Sequence, residues 1–186
     1  MSYDAVMKEG RSRFEKTLEH LRDNLRRIRT GRATTALVDD VRVDYYGTPT
    51  PVSQLAAVSI PEPRQILIKP FDPSILKELA RAVVQTDLGS TPQDDGKVLR
   101  LVLPPLSGEQ RSKYAAKVKT MCEESRIALR NTRRDLNKTS DQMKKDGELT
   151  EDENKKLHDD IQSLLKEYEG KVDETMKNKV TEIEEV

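Results

Sequence analysis

Three stretches of the chain carry apolar residues at helical spacing. The first stretch, residues 3–29, repeats an apolar residue alternately every four and three positions, at Phe14, Leu18, Leu21, Leu25 and Ile28. This spacing places them on one face of an α-helix and predicts a helix packed along a single seam. Gly31 follows in the region where helices often end in a left-handed residue.

The second and third helical stretches occupy the C-terminal half of the chain. In the second, one seam position recurs every seven residues, at Ala115, Cys122, Leu129, Leu136 and Met143, and the other holds Val118, Ser125, Thr132 and Thr139. This repeat predicts a helix of about 39 residues, roughly 58 Å long. The third carries Leu157, Ile161, Leu164, Tyr168, Val172, Met176, Val180 and Ile183. Ser107 with Gln110, and Thr150 with Glu153, have capping-box spacing at the two helix starts.

The region between the first and second helices has a different character. It contains all nine prolines, and it reads as strands at residues 41–46, 64–69 and 97–103. Residues 47–51 read as a turn, and Asp72-Pro73 predicts the start of a short helix that stops at Gly89. The region is therefore predicted to be a small α+β unit.

The break at Asp146-Gly147 is short, so the helices on either side are predicted to be antiparallel neighbours. The first helix has the stripe needed to cover their exposed apolar side. The predicted fold class is α+β: a long antiparallel three-helix bundle, residues 1–30 and 106–186, with a small α+β domain, residues 31–105, inserted between helices one and two. Thr30-Gly31-Arg32 and Leu103-Pro104-Pro105-Leu106, named here the first and second connections, are the predicted hinge.

The formal net charge of zero hides a strong asymmetry along the chain. Counted by segment, the charge is +3 for residues 1–30, −1 for 31–106, +6 for 107–145 and −8 for 146–186. Helix two is therefore a basic rod and helix three an acidic one, and part of this charge must be mutual neutralisation along the bundle.

Four arginines of helix two are candidates for a nucleic-acid interface. Arg126, Arg130 and Arg133 are spaced four and three residues apart, so they share one face, and Arg134 lies beside them. Guanidinium groups at this pitch can meet successive phosphates bidentately. Charge runs on long helices are more often simply solvated faces, and the residue chemistry alone favours that interpretation.

Catalytic and metal chemistry finds no support in the sequence. His20 and His158 are isolated, and Cys122 falls on the helical seam, where it is expected to be a small core residue. We therefore expect no enzymatic activity, no metal and no cofactor. The first ten residues do not read as a signal peptide and no apolar run approaches the ~20 residues of a membrane span, which predicts a cytoplasmic protein.

Six motifs, in this order and at these distances, resemble those of the bacterial ribosome recycling factor family over the full chain. They are Ile28-Arg-Thr-Gly-Arg-Ala33, Asp44-Tyr-Tyr-Gly-Thr-Pro-Thr-Pro51, Gln54-Leu-Ala56, Asp87-Leu-Gly89, Leu103-Pro-Pro-Leu106 and Arg130-Asn-Thr-Arg-Arg134. The resemblance departs at Ser107-Gly-Glu-Gln-Arg111, where the family usually has a Thr-Glu-Glu-Arg-Arg type run. Gln110 therefore lacks the basic side chain that the family's run has at this position.

The resemblance implies a role in protein biosynthesis after translation termination. Such factors bind the large ribosomal subunit and, with elongation factor G and GTP, split the ribosome into subunits. It implies that Arg130 and Arg133 contact ribosomal RNA, that Arg29 and Arg32 do so beside the hinge, and that the factor acts as a monomer whose insert moves when elongation factor G pushes on it. The alternative is a helical adaptor or chaperone that does not bind RNA.

Overall fold

The computed structural model describes residues 2–86 and 88–185. The chain divides into two compact units. The helical unit contains the residues up to Leu25 together with Ala115–Val180, and the mixed unit contains Arg26–Tyr114 together with the residues from Thr181 onward. The elements, in chain order, are α1 (Tyr3–Arg26), β1 (Arg42–Tyr45), β2 (Thr48–Pro51), α2 (Val52–Leu55), β3 (Ala56–Glu62), β4 (Gln65–Pro70), α3 (Leu76–Val84), β5 (Gln93–Asp94), β6 (Leu99–Val102), α4 (Gly108–Lys145) and α5 (Glu151–Glu184).

The helical unit is built from α1, α4 and α5, as the periodicity predicts. All five apolar stripe residues of the first stretch are buried, as are the predicted seam residues of α4 from Ala115 to Leu136. Helix α1 ends at Arg26, three residues earlier than predicted. The next residues, Ile28, Arg29 and Thr30, are buried in the mixed unit, so tertiary contacts take them out of the helix.

The predicted seam of α4 is wrong at one position. Thr139 was expected on the seam, but the fully buried residue there is Ser140, whose hydroxyl donates to the side-chain oxygen of Asn154 on α5. A straight helix has 3.6 residues per turn and drifts against a seven-residue repeat, so a four-residue step replaces a three-residue step. The polar pair lies at this step and satisfies both side chains.

Both long C-terminal helices begin with the predicted capping boxes. The amide of Gln110 donates to the Ser107 hydroxyl at 3.2 Å, and the amide of Ser107 donates to the Gln110 side chain at 3.0 Å. Thr150 and Glu153 make the same reciprocal pair at the start of α5. Between the helices, Gly147 has φ +76°, a left-handed conformation that ends α4.

The mixed unit contains a four-stranded antiparallel sheet of order β3-β4-β6-β5 and a separate two-stranded ribbon, β1-β2. Helix α3 follows the Asp72 cap, whose carboxylate accepts from the amide of Ser74 at 2.9 Å. The core of this unit is aliphatic and consists of buried residues from Ala33 to Leu103. Asp87, part of one motif given above, lies outside the described residues.

Several expectations for the mixed unit are wrong in detail. Residues 47–51 are not all turn, because Thr48–Pro51 forms β2 and the loop is Tyr46-Gly47, both with positive φ. Both β2 prolines pair across from β1 at alternate positions, which are the positions that donate no ladder bond next to a two-residue loop. Helix α3 ends at Val84 and not at Gly89. Strands β3 and β5 were not predicted.

Candidate nucleic-acid interface

Three of the predicted arginines lie along the contact between α4 and α5 in the helical unit. Because the two helices are antiparallel, the side chains they meet run backwards along α5. Arg126 contacts Asp173, Arg130 contacts Glu169 and Arg133 contacts Gln162. The three arginines therefore form a stripe on one face of α4, as their spacing predicts, and each has a partner on α5.

Arg126 is the most enclosed of the three. Its side chain is 17% exposed and is ion-paired with Asp173 and, at 2.9 Å, with Glu123. The hydrogen bond that Arg126 donates to Asp173 is the main cause that raises the pKa of its guanidinium, and the bond to Glu123 adds to it. Two carboxylates on one guanidinium neutralise its charge locally, so Arg126 mainly joins α4 to α5.

Arg130 is half exposed and has one close carboxylate. Its Nε lies 2.9 Å from Oε1 of Glu169, and one terminal nitrogen lies 3.8 Å from Glu123. Its guanidinium reaches solvent, but an incoming phosphate would also meet the negative charge of Glu169.

The positive charges of Arg133 and Arg134 are less compensated by carboxylates than those of Arg126 and Arg130. The Arg133 guanidinium donates to the amide oxygen of Gln162 at 2.8 Å, and its buried Nε has no hydrogen-bond partner among the described residues. Arg134 is exposed, and its side chain makes no hydrogen bond or ion pair within residues 2–86 and 88–185. Uncompensated positive charge therefore increases along the stripe from Arg126 to Arg134.

The two arginines predicted beside the hinge belong to the mixed unit and differ sharply from each other. Arg29 is only 4% exposed, and its guanidinium donates to the carbonyl oxygen of Pro104. Arg32 is exposed. A direct RNA contact needs an accessible guanidinium, so of the two arginines only Arg32 offers one in this structure.

The predicted hinge residues are held unequally. Thr30 is buried, with its hydroxyl donating to Glu182 at 3.2 Å, and Gly31 is buried with φ +90°. Pro104 and Pro105 are exposed. On the insert side, the connections end at backbone hydrogen bonds to one turn: Ala33 donates to Pro63 and Leu103 donates to Arg64.

Sequence reasoning missed the residues on α5 that face the arginines. The segment charges indicated mutual neutralisation but not which acid meets which arginine. The signal was present in the spacing of Gln162, Lys166, Glu169 and Asp173, which are four, three and four residues apart and so share one face of α5.

The expectations from the sequence for catalytic and metal chemistry concern the side chains that could ligate a metal and the single cysteine. No group of three or more His, Cys, Asp or Glu side chains there is arranged to hold a metal ion. Cys122 is buried, and burial raises the pKa of its thiol, which makes it a poor nucleophile. In residues 2–86 and 88–185, no helix combines the length and apolar character that a membrane crossing requires.

Comparison with known proteins gives consistent matches. A family model described as "Ribosome recycling factor" matches residues 21–183. The chain is 45% identical over 183 residues to the ribosome-recycling factor of Desulfosudis oleivorans, covering 98% of this chain and 99% of that one. It is 45% identical over 186 residues to the ribosome-recycling factor of Myxococcus xanthus, covering all of both chains.

Two solved structures have the same fold. One is a solution structure of the ribosome recycling factor, which is 31% identical, has a TM-score of 0.76 and covers 100% of this chain and 99% of that chain. The other comes from models of the T. thermophilus ribosome recycling factor and the E. coli elongation factor G bound to the E. coli post-termination complex. It is 36% identical, has a TM-score of 0.67 and covers 98% of this chain and 99% of that chain.

Proposed function

Because this chain belongs to the ribosome recycling factor family, we propose that it binds the post-termination ribosome and, with elongation factor G and GTP, promotes splitting into subunits. The observation that carries the proposal is the positive charge of the half-buried Arg133 and the exposed Arg134, which no carboxylate compensates among the described residues, on a chain whose relative is bound to a post-termination complex. The large-subunit RNA is the proposed ligand of this surface, and the cytoplasm is the compartment that this role requires.

The proposed division of labour follows from the contacts. Arg133 and Arg134 contact RNA phosphates, Arg130 contributes its exposed edge, and Arg126 holds α4 to α5. Beside the hinge, Arg32 is the RNA contact and Arg29 positions the second connection. The chain is not an enzyme in this proposal, because GTP is hydrolysed by elongation factor G.

The lever is the second part of the proposal. Residues 1–30 with 106–186 form the body that grips the subunit, and residues 31–105 move when elongation factor G acts on them. Thr30, Gly31, Pro104 and Pro105 are the proposed hinge. A covalent cross-link spanning the connections should spare binding and abolish splitting, whereas full splitting activity in the locked form would rule out the lever.

The deciding experiment measures binding to isolated large subunits across a range of salt concentrations. Arg133→Ala should weaken binding and reduce the slope of log affinity against log salt by about one, because one phosphate contact is lost. Arg13→Ala is the matched control, since Arg13 is on α1 and is paired with Glu9 and Asp135. It should leave the slope unchanged.

Splitting is measured in parallel with purified ribosomes, elongation factor G and GTP, omitting each component in turn. Omission of any one should abolish splitting. If Arg133→Ala changed neither binding nor splitting, the RNA-binding surface would be misassigned and a helical adaptor without RNA binding would be the better description.

A further inference from the structure

Helix α5 supplies the partners of the arginine stripe, and those partners differ in charge. We propose that α5 selects which arginines of α4 accept a phosphate. Asp173 and Glu169 occupy Arg126 and Arg130, whereas the uncharged amide of Gln162 leaves the charge of Arg133 available. This inference rests on the proposed function and adds a reason why only one end of the arginine stripe binds phosphate.

The evidence at one end of the stripe is the contact of arginine with carboxylate. Arg126 touches two carboxylates, and Arg130 has Glu169 at 2.9 Å and Glu123 at 3.8 Å. A phosphate approaching this end must displace a carboxylate or accept its repulsion at close range. In either case, the Coulomb attraction between arginine and phosphate is weaker, and fewer counterions are released from the nucleic acid.

The evidence at the other end is a hydrogen bond without charge compensation. Gln162 accepts from Arg133 at 2.8 Å, so the guanidinium is held in place while its full positive charge remains. Arg134 adjoins it on α4, and on α5 the next residue of the same face is the exposed Lys166. Arg134 and Lys166 therefore add exposed positive charge near a guanidinium that is already oriented by Gln162.

The carboxylates of Glu123, Glu169 and Asp173, called the carboxylate filter, affect which nucleic acids can bind. An unbroken row of free arginines would bind any polyanion along its whole length. With the Arg126 and Arg130 end neutralised, a nucleic acid gains strong phosphate contacts at one end only. Binding to unrelated RNA is then weak, while a ribosomal site that presents phosphates to Arg133 and Arg134 is still bound.

The first test adds a carboxylate where the amide stands. Gln162→Glu should weaken binding to large subunits by about tenfold and lower the salt slope by about one. Ser163→Glu is the matched control, because it adds the same charge at the neighbouring exposed residue, whose hydroxyl donates to the carbonyl oxygen of Asp159 on its own helix. It should change affinity by less than about twofold.

A second substitution separates charge from the hydrogen bond. Gln162→Ala removes the amide but adds no charge, so the salt slope should stay that of the unmodified protein. If the salt slope fell equally in Gln162→Ala and Gln162→Glu, the amide would only position Arg133, and the proposed carboxylate filter would be overturned. Circular dichroism of each variant confirms that the helices are intact.

The converse test removes the filter. Glu169→Gln should raise affinity for polyuridylic acid by about fivefold or more and steepen its salt slope by up to about one, because Arg130 is freed for a phosphate. Affinity for large subunits should rise by less than affinity for polyuridylic acid, because Arg133 and Arg134 already supply the main phosphate contacts there. Unchanged binding to polyuridylic acid would overturn the inference.

Failure of this inference differs from failure of the proposed function. The double variant Arg133→Ala/Arg134→Ala tests the function itself, since its normal binding to large subunits would remove the RNA-binding surface altogether. If that double variant binds weakly, but Gln162→Glu behaves like Ser163→Glu, the function stands and the filter alone is wrong.

Discussion

The buried guanidinium of Arg29 donates a hydrogen bond to the carbonyl oxygen of Pro104, so the residue just before the first connection holds the second one. The two connections are separated by the whole insert in sequence. Their insert-side ends are also fastened to one turn, through Ala33 to Pro63 and Leu103 to Arg64. Arg29 therefore sets where the second connection leaves the insert.

Arg29→Met keeps the length of the side chain and removes its hydrogen-bond donors. It should lower the free energy of unfolding by about 2 kcal/mol, because the hydrogen bond of a charged donor is lost within the buried region. Hydrogen exchange at the Leu103 amide, read by NMR, should become faster. Arg32→Met, at an exposed arginine three residues away, is the control and should cost less than about 0.5 kcal/mol. Equal effects of the two substitutions would contradict the positioning role of Arg29.

The helical unit was largely predictable because its signal is local. Each seam repeats within one helix, and the capping boxes lie within four residues, so neither depends on distant partners. The step from Thr139 to Ser140 was not predictable in this way. It depends on Asn154 of α5 lying opposite, which is a relationship between two helices.

The mixed unit was harder to predict because its strands are defined by long-range pairing. Strand β3 has a mostly exposed pattern and contains Pro61, so it shows neither clean alternation nor an apolar run. It exists because β4 pairs with it. In β2, Pro49 and Pro51 read as turn residues, although an edge ribbon tolerates them where no ladder bond is donated.

The candidate site was predictable in part for the same reason. The spacing of Arg126, Arg130 and Arg133 is a property of one helix and was read directly. Their partners depend on the register between α4 and α5, which the turn around Gly147 sets. The burial of Arg29 could not be foreseen either, since it depends on a residue 75 positions away.

Two helical glycines offer a matched pair of stability tests. Gly170 lies on α5 with open space around it, so Gly170→Ala should raise the free energy of unfolding by about 0.5–1 kcal/mol through better helix propensity. Gly10 lies on α1, where an added Cβ would stand 3.0 Å from Cδ1 of Leu136. Gly10→Ala should gain less than Gly170→Ala, because the Leu136 side chain must move by a few tenths of an ångström to admit the methyl group. Urea denaturation measures both, and an equal gain would show that close packing at Gly10 does not matter.

Tyr168 predicts how the helical unit responds to alkaline pH. Its hydroxyl donates to Glu15 at 2.7 Å, and its ring packs against Phe14. Burial, with the hydrogen bond to Glu15 as the second cause, raises the pKa of Tyr168 from 10.0 to about 12. A raised pKa in the folded state means that the neutral phenol stabilises the fold, so this contribution is complete below pH 10 and is lost as the pH rises towards 12.

Tyr168→Phe should therefore cost about 1 kcal/mol at neutral pH through the lost hydrogen bond. Between pH 10 and 12 the difference in free energy of unfolding between the two proteins should shrink, because only the unmodified protein loses the contribution of Tyr168. Urea denaturation at a series of pH values measures this difference, and titration of other groups cancels from it. Tyr46→Phe, at a side chain that is 83% exposed, is the control and should cost less than about 0.5 kcal/mol at neutral pH. A difference that grew with pH would mean that the phenolate, and not the phenol, is the form that the fold stabilises.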